Sequence, residues 1–340
     1  MTTETVVSPQ ISVLRMVYGA VTTRLIAVVA ELGIADALDD GPRAVADLAV
    51  DTGMNPDALR RILRTLAGIG IFSEVAPATF GNTDLSATLR AGAAGSVRDV
   101  VLELGAAETF GSLARIMHSV RTGEPAFDEA YGTDWWTYLS ERAGRSEVFN
   151  NAQSITARQV HSLVLEPYDL SDARLLIDVG GGHGNLVASM LHRYPDLHGV
   201  VFDQPAVVEG ARAVLDAAKV ADRAEALGGS FFEQVPAGGD VYLLSMILHD
   251  WSDEQCLEIL TRIRAAMAPG AKILVIDPVL PEDNTPHIGK FVDVYMLMYF
   301  GGRERTEREF DALFDAAGLR RIETRHSKAP SSLLVVVSKD

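Results

Sequence analysis

The chain has 340 residues, of which 48% are apolar. That length suits about two domains, and the composition allows a large core and excludes wholesale disorder. Its net charge of -16 offers no counterion release toward phosphate backbones and no attraction to anionic bilayers, so neither nucleic acid nor a membrane is expected as a partner.

The start, MTTETVVSPQ, lacks the basic and apolar regions of a signal peptide, and the longest apolar runs are broken by Arg24, Glu31 or Asp250. The single cysteine, Cys256, cannot form an internal disulfide and is expected as a buried thiol on a helix. A soluble cytoplasmic protein without a transmembrane helix is expected. From Ser8 to Pro167 the pattern is helical, with one short hairpin. MVYGAVTTRLIAVVAELGIADAL reads as a long apolar helix followed by a shorter piece. Apolar residues cover most of its circumference, which calls for burial in a core or against a second subunit, the latter preferred. Next, AVADLAVDTGMNPDALRRILRTLAGIGIFSEV and TFGNTDLSATLR read as helix, turn at Gly53, helix and small hairpin: a winged helix. Leu59, Ile62, Leu63, Leu66 and Ile69 recur at helical spacing and should form its buried face. Winged helices often bind DNA, and Arg60, Arg61 and Arg64 lie on the open face. Asp47, Asp51, Asp57 and the acidic whole favour a structural use instead. The helical stretch from Val97 to Pro167 holds Phe110, Phe127, Tyr131, Trp135, Trp136, Tyr138 and Phe149. Each alone reads as core; their density also suits an aromatic-lined ligand cleft.

From about Asp172 strands alternate with helices. Strands are expected at Leu175–Val179, Gly199–Asp203, Ala224–Leu227, Val241–Ser245, Lys272–Asp277, Arg321–Thr324 and Leu333–Val337, with helical segments between the first five and a hairpin joining the last two. This is an α/β, doubly wound, Rossmann-like sheet of the methyltransferase variant.

LLIDVGGGHGN is the strongest local motif. A buried strand carries Asp178; Gly180, Gly182 and Gly184 follow at alternate positions, and a helix starts near Asn185. Glycines there permit a tight turn and close approach of backbone to a ligand. A dinucleotide fingerprint would place its last glycine where Asn185 stands. GxGxG after an acid suits a ligand without a pyrophosphate, such as S-adenosylmethionine: Asp178 for the ammonium, the helix N-terminus for the carboxylate. In HGVVFDQP, Asp203 ends the second strand, where an acid binds ribose hydroxyls in such folds, or caps the turn at Pro205; Gln204 adjoins it. In LGGSFFEQVP, Phe231 suits stacking on adenine and Ser230 a hydrogen bond to it, whereas Phe232 reads as core.

LLSMILHDWSDEQCLEIL places His249 just beyond the fourth strand, at the sheet edge where ligands bind, with Ser252 and Gln255 as the capping box of the next helix. A histidine there suits a general base toward a substrate hydroxyl; a ring merely satisfied in its turn is the alternative. Asp277, ending the fifth strand, and Glu304, on the loop FGGRERTEREF, suit orientation of the imidazole. No metal is expected, because no His/Cys/carboxylate cluster has ligand spacing; His249 and Asp250, as neighbours, should point apart.

In DVGGGHG, VFDQP, GGSFFE, HDWSDEQC, VLPED and GGRERTEREF, in that order, and in the N-terminal AELGIADAL and RRILRTLAGIGIFSE, the chain resembles the plant caffeate-type and bacterial small-molecule O-methyltransferases, including those acting on aromatic polyketides and antibiotics. The resemblance spans nearly the whole sequence. It implies a homodimer, with a winged-helix dimerisation domain over 1–96, a helical connector lining the substrate pocket over 97–167, and an S-adenosylmethionine-binding catalytic domain over 168–340. It implies His249 as base beside Asp277 and Glu304, on a small aromatic hydroxylated substrate. Asp277 stands where plant relatives carry Glu, Ser230 where many carry an adenine-binding Asp, and Ser245 where plant members carry Lys. Of two methionines that pinch the acceptor in plant relatives, Met296 matches one and Gln153 replaces the other. Phe149, Asn150, Asp293 and Tyr299 complete the expected acceptor pocket. Competing readings are a family member that has lost methyl transfer for hydroxylation or cyclisation, a winged-helix DNA-binding regulator, and an NAD-dependent dehydrogenase, which the glycine spacing disfavours.

Overall fold

The computed structural model describes residues 8–328 and 330–339, apart from the side chains of 156 and 158–162. The first seven residues, part of the start read for a signal peptide, lie outside these. The chain forms two compact units: residues up to Ala114 with Trp136–Ile155, and Arg115–Trp135 with the chain from Thr156 onward. The stretch 97–167 is thus shared between both.

In the first unit, Ser8 caps the helix Pro9–Val17 by accepting from the Ile11 amide, and the helices Gly19–Glu31 and Ile34–Ala37 follow. Ile11, Val13, Leu14, Met16, Val17, Tyr18 and Val21 are exposed, Met16 by 78%. Across both helices, Pro9–Glu31 is long and apolar enough by length and composition to cross a membrane, with mean hydropathy 1.6. Reading the charged residues as breaks missed this. The helix Val45–Thr52 ends on left-handed Gly53, and Asn55 caps the helix Pro56–Ala67 by accepting from the Ala58 amide. Strands β1 (Arg43–Ala44), β2 (Phe72–Ala76) and β3 (Thr79–Asn82) form an antiparallel sheet in the order β1–β3–β2. Helix, helix and hairpin match the expected winged helix. Leu59, Leu63 and Leu66 are buried with Leu48, Phe72 and Phe80. Ile69 is exposed instead, because the helix stops at Gly68 and the helical spacing no longer governs its direction.

The second unit is a sheet of β4 (Leu175–Val179), β5 (His198–Asp203), β6 (Ala224–Gly228), β7 (Val241–Ser245), β8 (Lys272–Leu280), β10 (Leu319–Arg325) and β11 (Ser331–Ser338), in the order β10–β11–β8–β7–β4–β5–β6. β4 to β8 pair in parallel, while β11 runs antiparallel to both β8 and β10. Successive residues feed opposite faces, as strand geometry requires. Leu176, Leu243 and Val335 pack with the helices Asn185–Arg193 and Pro205–Ala217; Ile177, Leu244 and Val336 pack with Asp253–Ala266 and Glu307–Ala316. Both faces are therefore dry, which explains the near-continuous apolar strands.

Two expectations change. No helix lies between β6 and β7, where Pro236, Gly238 and Gly239 interrupt the segment. β8 runs past Asp277 to Leu280, because the short β9 (Arg305–Thr306) pairs with it in parallel at Val279 and Leu280. Asp277 thus lies within a strand rather than at its end.

Candidate active site

The loop after β4 turns through Gly180, Gly182 and Gly184, all at positive φ, into the helix Asn185–Arg193. At Gly180 a Cβ would lie 2.3 Å from Ile247 Cδ1, so any side chain would close the loop onto β7's continuation. Asp203, at the end of β5, fastens this loop: its Oδ2 accepts from the Gly182 amide at 2.8 Å and its Oδ1 from the Gln204 amide at 2.6 Å. The helix Pro205–Ala217 that follows has Gln204 at its N-cap and no side-chain capping bond, so Asp203 holds the turn before it rather than the helix end. Asp178 is buried beneath the loop; burial and the nearby Asp203 charge push its carboxyl up to about 7. Burial raises Asp203 as well, against the pull of its two amides and of His183. Two crowded acids beside a backbone turn fit a ligand that brings a cation and hydroxyls, and suit a pyrophosphate poorly. After β6, the Ser230 hydroxyl accepts from the Phe232 amide at 3.3 Å. Half-buried Phe231 meets Phe232 and Trp251 edge-on, at 4.9 and 5.8 Å between ring centres. Ser245 closes β7, half-buried.

Past Ser245 the chain reverses at Met246, a non-glycine residue at φ 58°, whose amide donates to Ile276 O at 2.8 Å. Strained backbone of this kind persists only where neighbours over-determine it. A 3-10 turn, Leu248–Asp250, follows, and the Ser252–Gln255 capping box starts the helix Asp253–Ala266 as expected. His249 is buried on that turn. Its Nδ1 lies 2.8 Å from Glu304 Oε1, and Asp293 Oδ1 accepts from the Glu304 amide at 2.8 Å. The ring's other nitrogen, Nε2, lies 3.4 Å from Asp250 Oδ1. The neighbours expected to point apart therefore converge, because the turn is 3-10 and Trp251 is extended.

Asp277 is fully buried on β8, and neither of its oxygens has a hydrogen-bond partner; the same holds for His249 Nε2 and Glu304 Oε2 among the described residues. Buried polar atoms left open are uncommon in folded proteins, and here they cluster around one imidazole. Burial opposes charge on His249, but Asp250, Glu304 and Asp277 outweigh it and push the imidazole up to about 10. Burial pushes Asp277 up to about 8 and Asp250 up to about 6, each against the pull of His249. Protons are thus shared within a coupled cluster rather than owned by one residue.

Sequence reasoning missed Asp250 and Arg305. Arg305 is buried and hydrogen-bonds around the His249 turn; a buried arginine inside the charged run RERTERE gives no local signal beyond its acidic partner in HDWSDE. Cys256 is buried, its thiol lies 3.1 Å from Leu248 O, and burial pushes it up to about 12, as expected of a structural thiol.

Of the acceptor candidates, Asp293, Met296 and Tyr299 sit on the helix Gly289–Tyr299 of the second unit. Met296 and Tyr299 are buried, and Tyr299 packs against Trp135 and Phe127 at 4.8 and 5.5 Å. Phe149, Asn150 and Gln153 lie on the helix Ala143–Val160 within the first unit; Phe149 meets Trp136 edge-on at 5.9 Å, Asn150 donates to Ser146 Oγ at 3.4 Å, and Gln153 is exposed.

Comparison with known proteins places this geometry. The O-methyltransferase domain model matches residues 112–320, and the O-methyltransferase dimerisation domain model matches residues 14–92. The chain belongs to the O-methyltransferase family. It is 42% identical over 305 residues to the phenazine O-methyltransferase PhzM of Lysobacter antibioticus, covering 90% of this chain and 89% of that one. To the mitomycin biosynthesis 6-O-methyltransferase of Streptomyces lavendulae it is 40% identical, covering 89% and 86%. A crystal structure of an O-methyltransferase from neocarzinostatin biosynthesis, in complex with S-adenosylmethionine and 2-hydroxy-5-methyl naphthoic acid, superposes with a TM-score of 0.83 at 31% identity, covering 93% and 96%. The sheet is that of class I methyltransferases, and S-adenosylmethionine is the methyl donor of this O-methyltransferase. The exposed apolar helices Pro9–Glu31 fall largely within the dimerisation domain.

Proposed function

We propose that this enzyme methylates a hydroxyl of a small aromatic natural product, with His249 as general base. The observation that carries it is His249 itself: one ring nitrogen is held by Glu304, while the other, buried beside Asp250 Oδ1 at 3.4 Å, has no hydrogen-bond partner among the described residues. That open nitrogen suits the acceptor's hydroxyl, and the printed substrates of the relatives suit an aromatic acceptor. Adenosylmethionine, when bound, supplies an electrophilic methyl group on its sulfonium. Asp178 takes the ammonium, and the backbone of Gly180 and Gly182 admits the amino-acid end. Asp203 and Gln204 take the ribose; Ser230, Phe231 and Ser245 border the base and sulfonium side. His249 Nε2 receives the hydroxyl proton as the oxygen attacks, and Glu304 stabilises the resulting imidazolium. Asp277 and Asp250 share the cluster's negative charge. Asp293 holds Glu304 through its amide, and with Met296 and Tyr299 borders the acceptor side. A phenol near pKa 10 is mostly protonated at neutral pH, so a base of matching strength shortens the energetic gap to the nucleophile. The protein acts as a homodimer through the apolar face of Ile11 to Val21, a reading supported by its exposure in the single chain and by the dimerisation domain match.

The test is calorimetric titration with S-adenosylhomocysteine, with NAD as control, followed by transfer of labelled methyl to a panel of phenols, naphthols and phenazines. Binding of the first alone, with label on an acceptor oxygen, is expected. Cofactor binding without transfer to any hydroxyl would overturn the proposal.

A further inference from the structure

We propose that Arg305 is a positioning residue which sets the distance between His249 and Glu304 by gripping the backbone on both sides of the histidine. Its link to catalysis rests on His249 being the base.

The guanidinium of Arg305 is buried and makes five contacts. Nη1 donates to Leu248 O at 2.8 Å and to Arg303 O at 3.3 Å. Nη2 donates to Trp251 O at 2.9 Å and to Asp253 Oδ1 at 2.7 Å, and Nε donates to Asp253 Oδ1 at 2.9 Å. The carbonyls of Leu248 and Trp251 bracket His249 and Asp250, so one planar fork fixes both ends of the turn. Arg305 also follows Glu304 directly and pairs with Val279 of β8, two residues beyond Asp277. One residue therefore joins the three segments that carry His249, Glu304 and Asp277: its side chain grips the His249 turn and the loop of Glu304, and its backbone pairs with β8.

The backbone completes the clamp. The Arg303 amide donates to His249 O at 2.9 Å, and at Gly302 a Cβ would lie 2.2 Å from that same oxygen. The Glu304 loop can approach the histidine this closely because Gly302 carries no side chain. Lysine, a point donor on a flexible stem, reaches one or two of these acceptors and not the whole set. Core packing alone would not require that the partners be the two carbonyls flanking the base.

The groups facing the imidazole are Asp250 on its own turn, Glu304, and Asp277 on β8; the Cys256 thiol, from the next helix, shares Leu248 O with Arg305. Asp293 acts on Glu304 from the helix Gly289–Tyr299, and Asp253 acts on Arg305 and Arg303. Loosening Arg305 lets Glu304 and His249 separate, and the largest hydrogen-bonded support for the imidazolium is lost.

The experiment is an NMR titration of the ring carbons of labelled histidine in the full-length protein, with the His249 signal identified by its loss in His249→Asn. In Arg305→Lys the midpoint of His249 is expected to fall by about one unit or more, the scale on which a close carboxylate acts, with S-adenosylhomocysteine affinity retained. Asp253→Asn, altering a mostly exposed partner of the fork, is expected to move it the same way by less. An unchanged midpoint in folded Arg305→Lys overturns the proposal, even if the variant melts earlier. Should that variant not fold, an unchanged midpoint in Asp253→Asn overturns it. Absence of S-adenosylhomocysteine binding in the wild type would count against the cofactor reading and leave this comparison of midpoints intact.

Discussion

The glycine loop after β4 and the His249 turn after β7, both at the carboxyl end of the sheet, are built on different principles. Around Gly180–Gly184 the shape is set by backbone: positive φ, absent side chains, and one carboxylate, Asp203, fastened by two amides. Around His249 the shape is set by side chains converging from β8, the turn after β7, and the loop before β9. The first is encoded mainly in one glycine motif with a single distant carboxylate; the second is encoded in three distant segments whose ionisable groups are coupled. Substitutions should therefore separate the two, affinity falling at one edge and turnover at the other.

The largest effect is expected at His249. His249→Ala should lower kcat by about 10²–10⁴-fold, the usual contribution of a general base, and leave S-adenosylhomocysteine affinity unchanged by calorimetry. Asp203→Ala should do the reverse, weakening cofactor binding about 10–100-fold for a lost charged hydrogen-bond acceptor, with kcat preserved at saturating cofactor. If Asp203→Ala lowers kcat as much as affinity, the division between the two edges fails.

Asp178 gives the smallest and most telling effect. Its folded pKa of about 7 exceeds the ordinary 3.8, so the folded state holds the proton more tightly than the unfolded chain. The associated stability is complete below pH 3.8 and lost as pH rises through about 7. At pH 8 the cofactor-free enzyme thus carries an ionised, buried acid. Asp178→Asn should raise its melting temperature, by about 2–4 °C for each kcal/mol relieved, while weakening cofactor binding. A lower melting temperature would mean that the ionised carboxylate is paid for within the apo fold.

The same contrast explains what the sequence made legible. Gly180, Asp203 and the strand edges are local features, and short apolar runs alternating with helical segments marked all seven long strands. His249 and Asp277 stood out as chemistry-bearing residues near predicted strand ends, and Glu304 as one on a glycine-flanked loop. Asp250 did not, because the direction of a neighbour depends on whether the turn is 3-10 or extended. Arg305 did not, because a buried fork and a solvated charge look alike inside RERTERE. The expected helix between β6 and β7 failed where Pro236 and the glycine pair outweighed spacing, and Ile69 failed because its periodicity ran past the end of its helix. For Asp250 and Arg305 tertiary context decided what local pattern left open; for the missing helix and Ile69 the local breakers Pro236, Gly238, Gly239 and Gly68 decided it.

The central claim, a histidine base held by Glu304, is tested most directly by kcat against pH at saturating cofactor in the wild type and Glu304→Gln. His249 is raised to about 10 and must be neutral to accept a proton, so wild-type kcat should climb through the alkaline range. Removing the Glu304 charge should move that rising limb toward neutral pH and lower its plateau by about tenfold or more, one pKa unit being worth a factor of ten. Superimposable pH profiles in the two enzymes would contradict the account, since the group that titrates in turnover would then not be the His249–Glu304 pair.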